Sequence, residues 1–97
     1  IIILKADMSV TVMVAIKTED FSKFEESYKQ RAEARSEAGI DTKAYRVVGD
    51  ENRAIVMGTA PSIEAFRQFM KSPGQEAAMS KAAMLEPPVA TFLEEQD

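Results

Sequence analysis

Tyr28, Arg31 and Arg35 recur at three- and four-residue spacing, so a helix would set them on or beside one stripe. A phenol and two guanidiniums so arranged could hold a small anion between the helix and a sheet edge. The guanidinium is a planar fork of donors that matches a carboxylate. The plainer alternative keeps Tyr28 in the core with its hydroxyl at the rim. The Arg stems then lie along apolar surface and their heads pair with Glu33 or other carboxylates. Lys43, Tyr45 and Arg46 form a second group, in a strand-like run. Alternation puts Lys43 and Tyr45 on one face and Arg46 on the other. If either face lined an interior, it could bind a substrate carboxylate or phenolate. An Arg buried there would need a partner, because an unpaired buried charge is very costly. The alternative for this group is a salt bridge across a subunit interface.

Other chemistries are excluded by missing residue types. There is no Cys, hence no thiolate nucleophile, disulfide, zinc–cysteine site or iron–sulfur cluster. There is no His, which removes the commonest general base and the usual haem ligand. Tyr28 or Tyr45 could in principle still coordinate iron. Asp50-Glu51-Asn52 is too short an array of oxygen ligands for a calcium loop and reads as a solvated turn. The expected set of metals and cofactors is therefore empty.

The elements that must position these residues follow from periodicity. Val10–Lys17 is a strand whose two faces, Val10, Val12, Val14, Ile16 and Thr11, Met13, Ala15, Lys17, are both largely apolar. Thr18-Glu19-Asp20 offers acceptors for a helix start, and Ser22 with Glu25 has capping-box spacing. The helix is predicted over Phe21–Ala38, with Phe21, Phe24, Tyr28, Ala32 and Arg35 as its inner stripe and Gly39 as terminator. Thr42–Val48 and Arg53–Ala60 are strands joined by a turn at Gly49–Asn52. Gly58 within a strand points to a bulge or a close backbone approach. Ser62 is the expected cap of a second helix whose apolar stripe is Ile63, Phe66, Phe69 and Met70. Ser72-Pro73-Gly74-Gln75 reads as a new cap and capping box, opening a third helix over Pro73–Leu85 that Pro87-Pro88 stops. Val89–Leu93 is the last strand, and a charged, solvated tail follows. The six Met, Met57, Met70, Met79 and Met84 among them, read as soft core fillers.

The chain has 97 residues and a net charge of −4, from 12 basic and 16 acidic side chains. That length is one domain, and a domain this short gains from oligomerisation. The basic residues are scattered, so no patch is expected to attract nucleic acid. Residues 1–7 precede Met8-Ser9, a plausible natural start, and are expected to be an added or irregular segment ahead of one domain over 8–97. Their four leading apolar residues are too few for a signal core or a membrane span, so no membrane partner and a cytoplasmic location are expected.

The order β-α-β-β-α-(α)-β is that of a ferredoxin-like α+β domain, a four-stranded antiparallel sheet with helices on one face. The other face should then be polar, yet the first strand is apolar on both sides and the third nearly so. A second copy, sheet facing sheet about a two-fold axis, would cover it. Over about residues 8–94 the chain resembles the dimeric α/β-barrel superfamily of antibiotic-biosynthesis-monooxygenase-like and stress-responsive A/B-barrel proteins. The likeness is carried by the opening strand with Lys17, by Phe21-x-x-Phe24-x-x-x-Tyr28, by Val56–Ser62, by Glu64–Pro73 followed by Met79, and by the strand after Pro88.

The resemblance implies a homodimer closed into a barrel. It transfers no catalytic residue. Haem-degrading members rely on a His that is absent here. Members acting on aromatic polyketides commonly carry Trp and Asn in the pocket, whereas this chain has no Trp and its lone Asn52 falls in the hairpin. Two functional readings remain. One is a dimer that binds a small molecule or serves a structural role. The other is a cofactor-independent monooxygenase-like or isomerase-like enzyme acting on a hydrophobic, oxygenated metabolite held in a dry pocket.

Overall fold

The computed structural model describes residues 9–96, and the expectation for residues 1–7 lies outside them. Strands β1 (Val10–Lys17), β2 (Asp41–Arg46), β3 (Arg53–Ala60) and β4 (Val89–Leu93) form one antiparallel sheet in the order β2-β3-β1-β4. Helices α1 (Phe21–Gln30), α2 (Ala32–Glu37), α3 (Ile63–Lys71) and α4 (Pro73–Lys81) complete the chain order expected of a ferredoxin-like α+β domain. Among the described residues, no helix is long and apolar enough to cross a membrane.

The register decides which face the helices cover. Val12, Val14 and Ile16 lie opposite Gly58, Val56 and Ala54, and they form the core with Phe24, Ile40 and Phe66. The other face carries Met13 opposite Met57 and Ala15 opposite Ile55, flanked by Val89, Leu93 and Tyr45. It stays open: Tyr45 is 53% exposed and Val89 59%. Gly58 sits where β2 begins, and a Cβ there would strike the Asp41 carbonyl and the Thr42 Cα. The register is continuous through it, so of the two expectations the close approach is what occurs and not a bulge.

Helix α1 starts at Asp20, whose Oδ1 accepts from the Ser22 N–H at 3.0 Å and from its hydroxyl at 2.7 Å. Those bonds hold its carboxyl below the usual range, so Asp20 caps the helix rather than a Ser22–Glu25 box. The single helix expected over Phe21–Ala38 is broken at Arg31. The Tyr28 carbonyl accepts the Arg31 N–H only three residues on and also an Arg35 guanidinium hydrogen, which tightens the chain there. Ala32, expected on the inner stripe, is therefore exposed, while Phe21, Phe24, Tyr28 and Arg35 face inward. Gly39, at φ +76°, ends α2. Strand β2 stops at Arg46 rather than Val48, because after the Val47 N–H bonds the Arg53 carbonyl the chain turns into the hairpin.

The Ser62 hydroxyl accepts from the Ala65 N–H at 3.0 Å and caps α3 as expected. The expected box at Ser72 and Gln75 does not form. Ser72 turns back to the Phe69 carbonyl at 2.7 Å, and Gln75 takes a charged donor, Arg31, at 3.0 Å. Helix α4 ends at Lys81, short of Leu85. Its end is fixed by Thr18, 0% exposed at the end of β1. The Thr18 hydroxyl donates to the Ala82 carbonyl at 2.8 Å and accepts the Asp20 N–H at 3.1 Å. Ala83 then takes φ 57°, a left-handed value that disfavours Ala, and a bridge pairs Thr18 with Met84.

Thr18→Val keeps the shape and removes the hydroxyl, leaving the Ala82 carbonyl without this donor. Urea unfolding should show a loss of about 1–3 kcal/mol, with most of it restored in Thr18→Ser. An unchanged midpoint for Thr18→Val would mean that the hydroxyl is not the anchor.

Candidate functional site

Between the covered sheet face and helices α1, α3 and α4 lies a cavity. Val14, Ile16 and Val56 form its floor, Phe24, Phe66 and Phe69 its sides, and Met70, Met79 and Met84 its softer walls. The space open to the centre of a water-sized sphere is about 60 Å³, several times the roughly 10–15 Å³ that one water requires. A wider hollow of about 310 Å³ shares Val14, Phe66, Met70, Met79 and Pro88 with it and opens beside Arg67 and Lys71 at β4. Of the Met expected as fillers, Met70, Met79 and Met84 line the cavity, while Met13 and Met57 lie on the open sheet face.

Part of the lining is polar, with Ser27, Tyr28, Arg31, Arg35, Thr42 and Gln75. The Tyr28 ring stacks on Phe24 with centroids 5.9 Å apart, and its hydroxyl is 2.7 Å from the Thr42 hydroxyl. This fixes the phenol at the cavity wall with an oxygen at the rim. Arg35 lies over the Tyr28 ring, its Cζ 3.6 Å from the ring centroid, and donates to the Tyr28 carbonyl at 2.7 Å. Burial is the main influence pushing the Arg35 guanidinium below its ordinary value; Tyr28 opposes this and the neighbouring Arg31 charge adds to it. Arg31 donates through Nε to Gln75 Oε1 at 3.0 Å and lies 5.3 Å from the Phe69 centroid. Gly74 makes room for it, since a Cβ there would come within 2.8 Å of Arg31 Nη1. No carboxylate lies among the described residues that line the cavity.

Of the six residues singled out in the sequence, the structure brings Tyr28, Arg31 and Arg35 together at this cavity. The pairing with Glu33 or another carboxylate is absent among the described residues; neutral acceptors and aromatic faces take its place. Lys43 and Tyr45 lie on the open sheet face, opposite Met57 and Ile55. Arg46 points to the helix side but stacks on Phe21, with Cζ 4.1 Å from the ring centroid, outside the cavity lining. The sequence reading missed Thr42 and Gln75. Thr42 was a strand start with no visible partner, and Gln75 fitted a capping pattern. Ser27, also at the cavity, donates to the Ala78 carbonyl at 2.6 Å and ties α1 to α4. Among the described residues, no cluster of acidic side chains could hold a metal ion.

No family model matches the sequence, and no curated protein sequence does. Solved structures do match. SnoaB from Streptomyces nogalater, described as a cofactor-independent oxygenase, superposes with a TM-score of 0.74 at 14% identity, covering 92% of this chain and 94% of that one. A candidate antibiotic biosynthesis monooxygenase from Bordetella bronchiseptica gives 0.78 at 14% identity, over 91% and 97% of the two chains. The chain has the antibiotic-biosynthesis-monooxygenase-like fold. A conserved protein from Methanosarcina mazei Go1 shares that fold as well, with a TM-score of 0.75 at 11% identity over 95% and 97%. At these identities the likeness concerns the antibiotic-biosynthesis-monooxygenase-like fold and not the chemistry of any one member.

The Tyr28–Thr42 contact links α1 to β2 and should behave as one coupled pair. A double-mutant cycle on Tyr28→Phe and Thr42→Val should give a coupling of about 0.5–1.5 kcal/mol in thermal or urea unfolding. Additive effects of the two changes would show that the hydroxyls do not meet.

Proposed function

We propose that the domain binds a small, largely apolar molecule in the cavity between its helices and its sheet, with an oxygen-bearing end at Tyr28, Arg31 and Arg35. The observation that carries this reading is the distribution of polarity. Aromatic and aliphatic side chains make up most of the lining, and among its polar members Tyr28 meets Thr42 and Arg35 while Arg31 meets Gln75. The neighbouring hollow beside β4 gives room for a body longer than one ring, once the Met70 and Met79 side chains move. A second reading, a cofactor-independent oxygenase, is favoured by the apolar enclosure. Such walls would keep water from an electron-rich substrate that itself reacts with oxygen.

Methionine methyl groups distinguish the cavity from the rest of the molecule. With 13C-labelled Met methyls, the neutral probe 2-naphthol should shift Met70, Met79 and Met84 and leave Met13 and Met57 in place. No shifts, or shifts confined to Met13 and Met57, would overturn the cavity reading. Oxygen uptake by the loaded protein would promote the oxygenase reading over simple binding.

We further propose that a second copy covers the open sheet face, sheet to sheet. Met13, Ala15, Ile55, Met57, Val89 and Leu93 make that face too apolar for an antiparallel sheet standing in water. Lys43, Asp41 and Tyr45 lie along its β2 edge, where the rim of such an interface would be polar. Sedimentation should find a dimer, and Met57→Asp should yield a folded monomer. Val12→Asp, on the covered face, should unfold the chain instead. A wild-type monomer, or a dimer that survives Met57→Asp, would refute the arrangement.

A further inference from the structure

Arg31 and Arg35 stand one helical turn apart in sequence, and both line the same cavity. Each is half-buried. Their observed partners are neutral: the Gln75 side-chain oxygen for Arg31, the Tyr28 carbonyl for Arg35, and the aromatic faces of Phe69 and Tyr28. The chain carries 16 acidic residues against 12 basic ones. Among the described residues, none of those carboxylates lies within 4.0 Å of either guanidinium. Glu76, in the first turn of α4 near Arg31, is exposed and pairs with neither.

This arrangement is unfavourable as it stands. Like charges one turn apart repel, and partial burial strengthens the repulsion by removing water. Arg31 also lies against Gly74 in the first turn of α4, where the helix presents its positive end. Aromatic stacking returns only part of that cost. A bound anion would reverse the balance, because one carboxylate can take donors from two guanidiniums whose single bonds to neutral acceptors leave further N–H groups available.

We propose that the ligand of this cavity is an aromatic carboxylate, its ring among Phe24, Phe66 and Phe69 and its carboxylate between Arg31 and Arg35. This rests on the reading of the cavity as a ligand site and adds the charge of the ligand to it. The ring follows from the aromatic walls, and the carboxylate from the two arginines.

Calorimetric titration with 2-naphthoate and its neutral isostere 2-naphthamide tests the charge separately from the cavity. The carboxylate should bind at least about tenfold more tightly than the amide, and its affinity should fall as salt is raised. In Arg35→Gln, and independently in Arg31→Gln, the ratio of the two affinities should drop toward one. Arg35→Lys should keep part of it. Circular dichroism identifies any variant that fails to fold, and the other Gln variant then carries the test. If the amide binds as tightly as the carboxylate, the anion assignment fails while the cavity reading stands. If the preference persists in both Gln variants, the anion sits elsewhere and the assignment fails. If neither compound binds, the cavity reading falls and the assignment with it.

Discussion

One buried hydroxyl holds this domain in register with itself. Thr18 leaves the sheet at the end of β1, and its Oγ1 accepts from the Asp20 N–H and donates to the Ala82 carbonyl. The first bond fixes where α1 begins, directly after the cap at Asp20. The second fixes where α4 ends, 64 residues further along. Two walls of the cavity therefore hang from a single side chain. A backbone carbonyl in that position has no access to water, so the hydroxyl meets a need that an apolar side chain could not.

The same economy explains why β1 is apolar on both faces. Val14 and Ile16 form the cavity floor, while Met13 and Ala15 face the open side. The strand lies between β3 and β4 and cannot shift by one residue without exchanging these two sets. The sheet therefore presents two different faces. The helix side carries the cavity floor, and the other side carries Met13, Ala15, Ile55 and Met57. Residues belonging to one are kept from the other by the pleat alone, as Tyr45 and Arg46, adjacent in sequence, illustrate.

Much of this was legible in the residues. Strands β1, β3 and β4 begin and end where alternation places them, and Gly58 marks a close approach of backbones because nothing larger fits. What periodicity could not convey was contact across distance in the chain. Two side chains on one stripe look alike whether they meet a carboxylate or an aromatic ring, so the stacking of Arg35 on Tyr28 was hidden. Gln75 obeyed a local capping rule until a distant charged donor outbid the backbone. The break at Arg31 has the same origin, since the Arg35 guanidinium draws on the carbonyl of Tyr28. At the cavity, local rules failed where long, charged side chains reached over several residues; elsewhere a short side chain took the group first, as at Asp20 and Ser72.

Helix α4 forms the wall with the least invested in it. None of its nine residues is buried, its first turn lacks a side-chain cap, and the chain beyond it passes through a left-handed Ala83. An alanine held there raises the native state by roughly 1–2 kcal/mol. That strain is held in place by the Thr18 hydroxyl on the Ala82 carbonyl and the Ser27 hydroxyl on the Ala78 carbonyl, so two hydroxyls tie down this wall, whereas α1 and α3 rest on buried Phe24 and Phe66. A wall held by two hydroxyls rather than by buried rings is the part of the domain expected to open first, a sub-global event with its own small free energy.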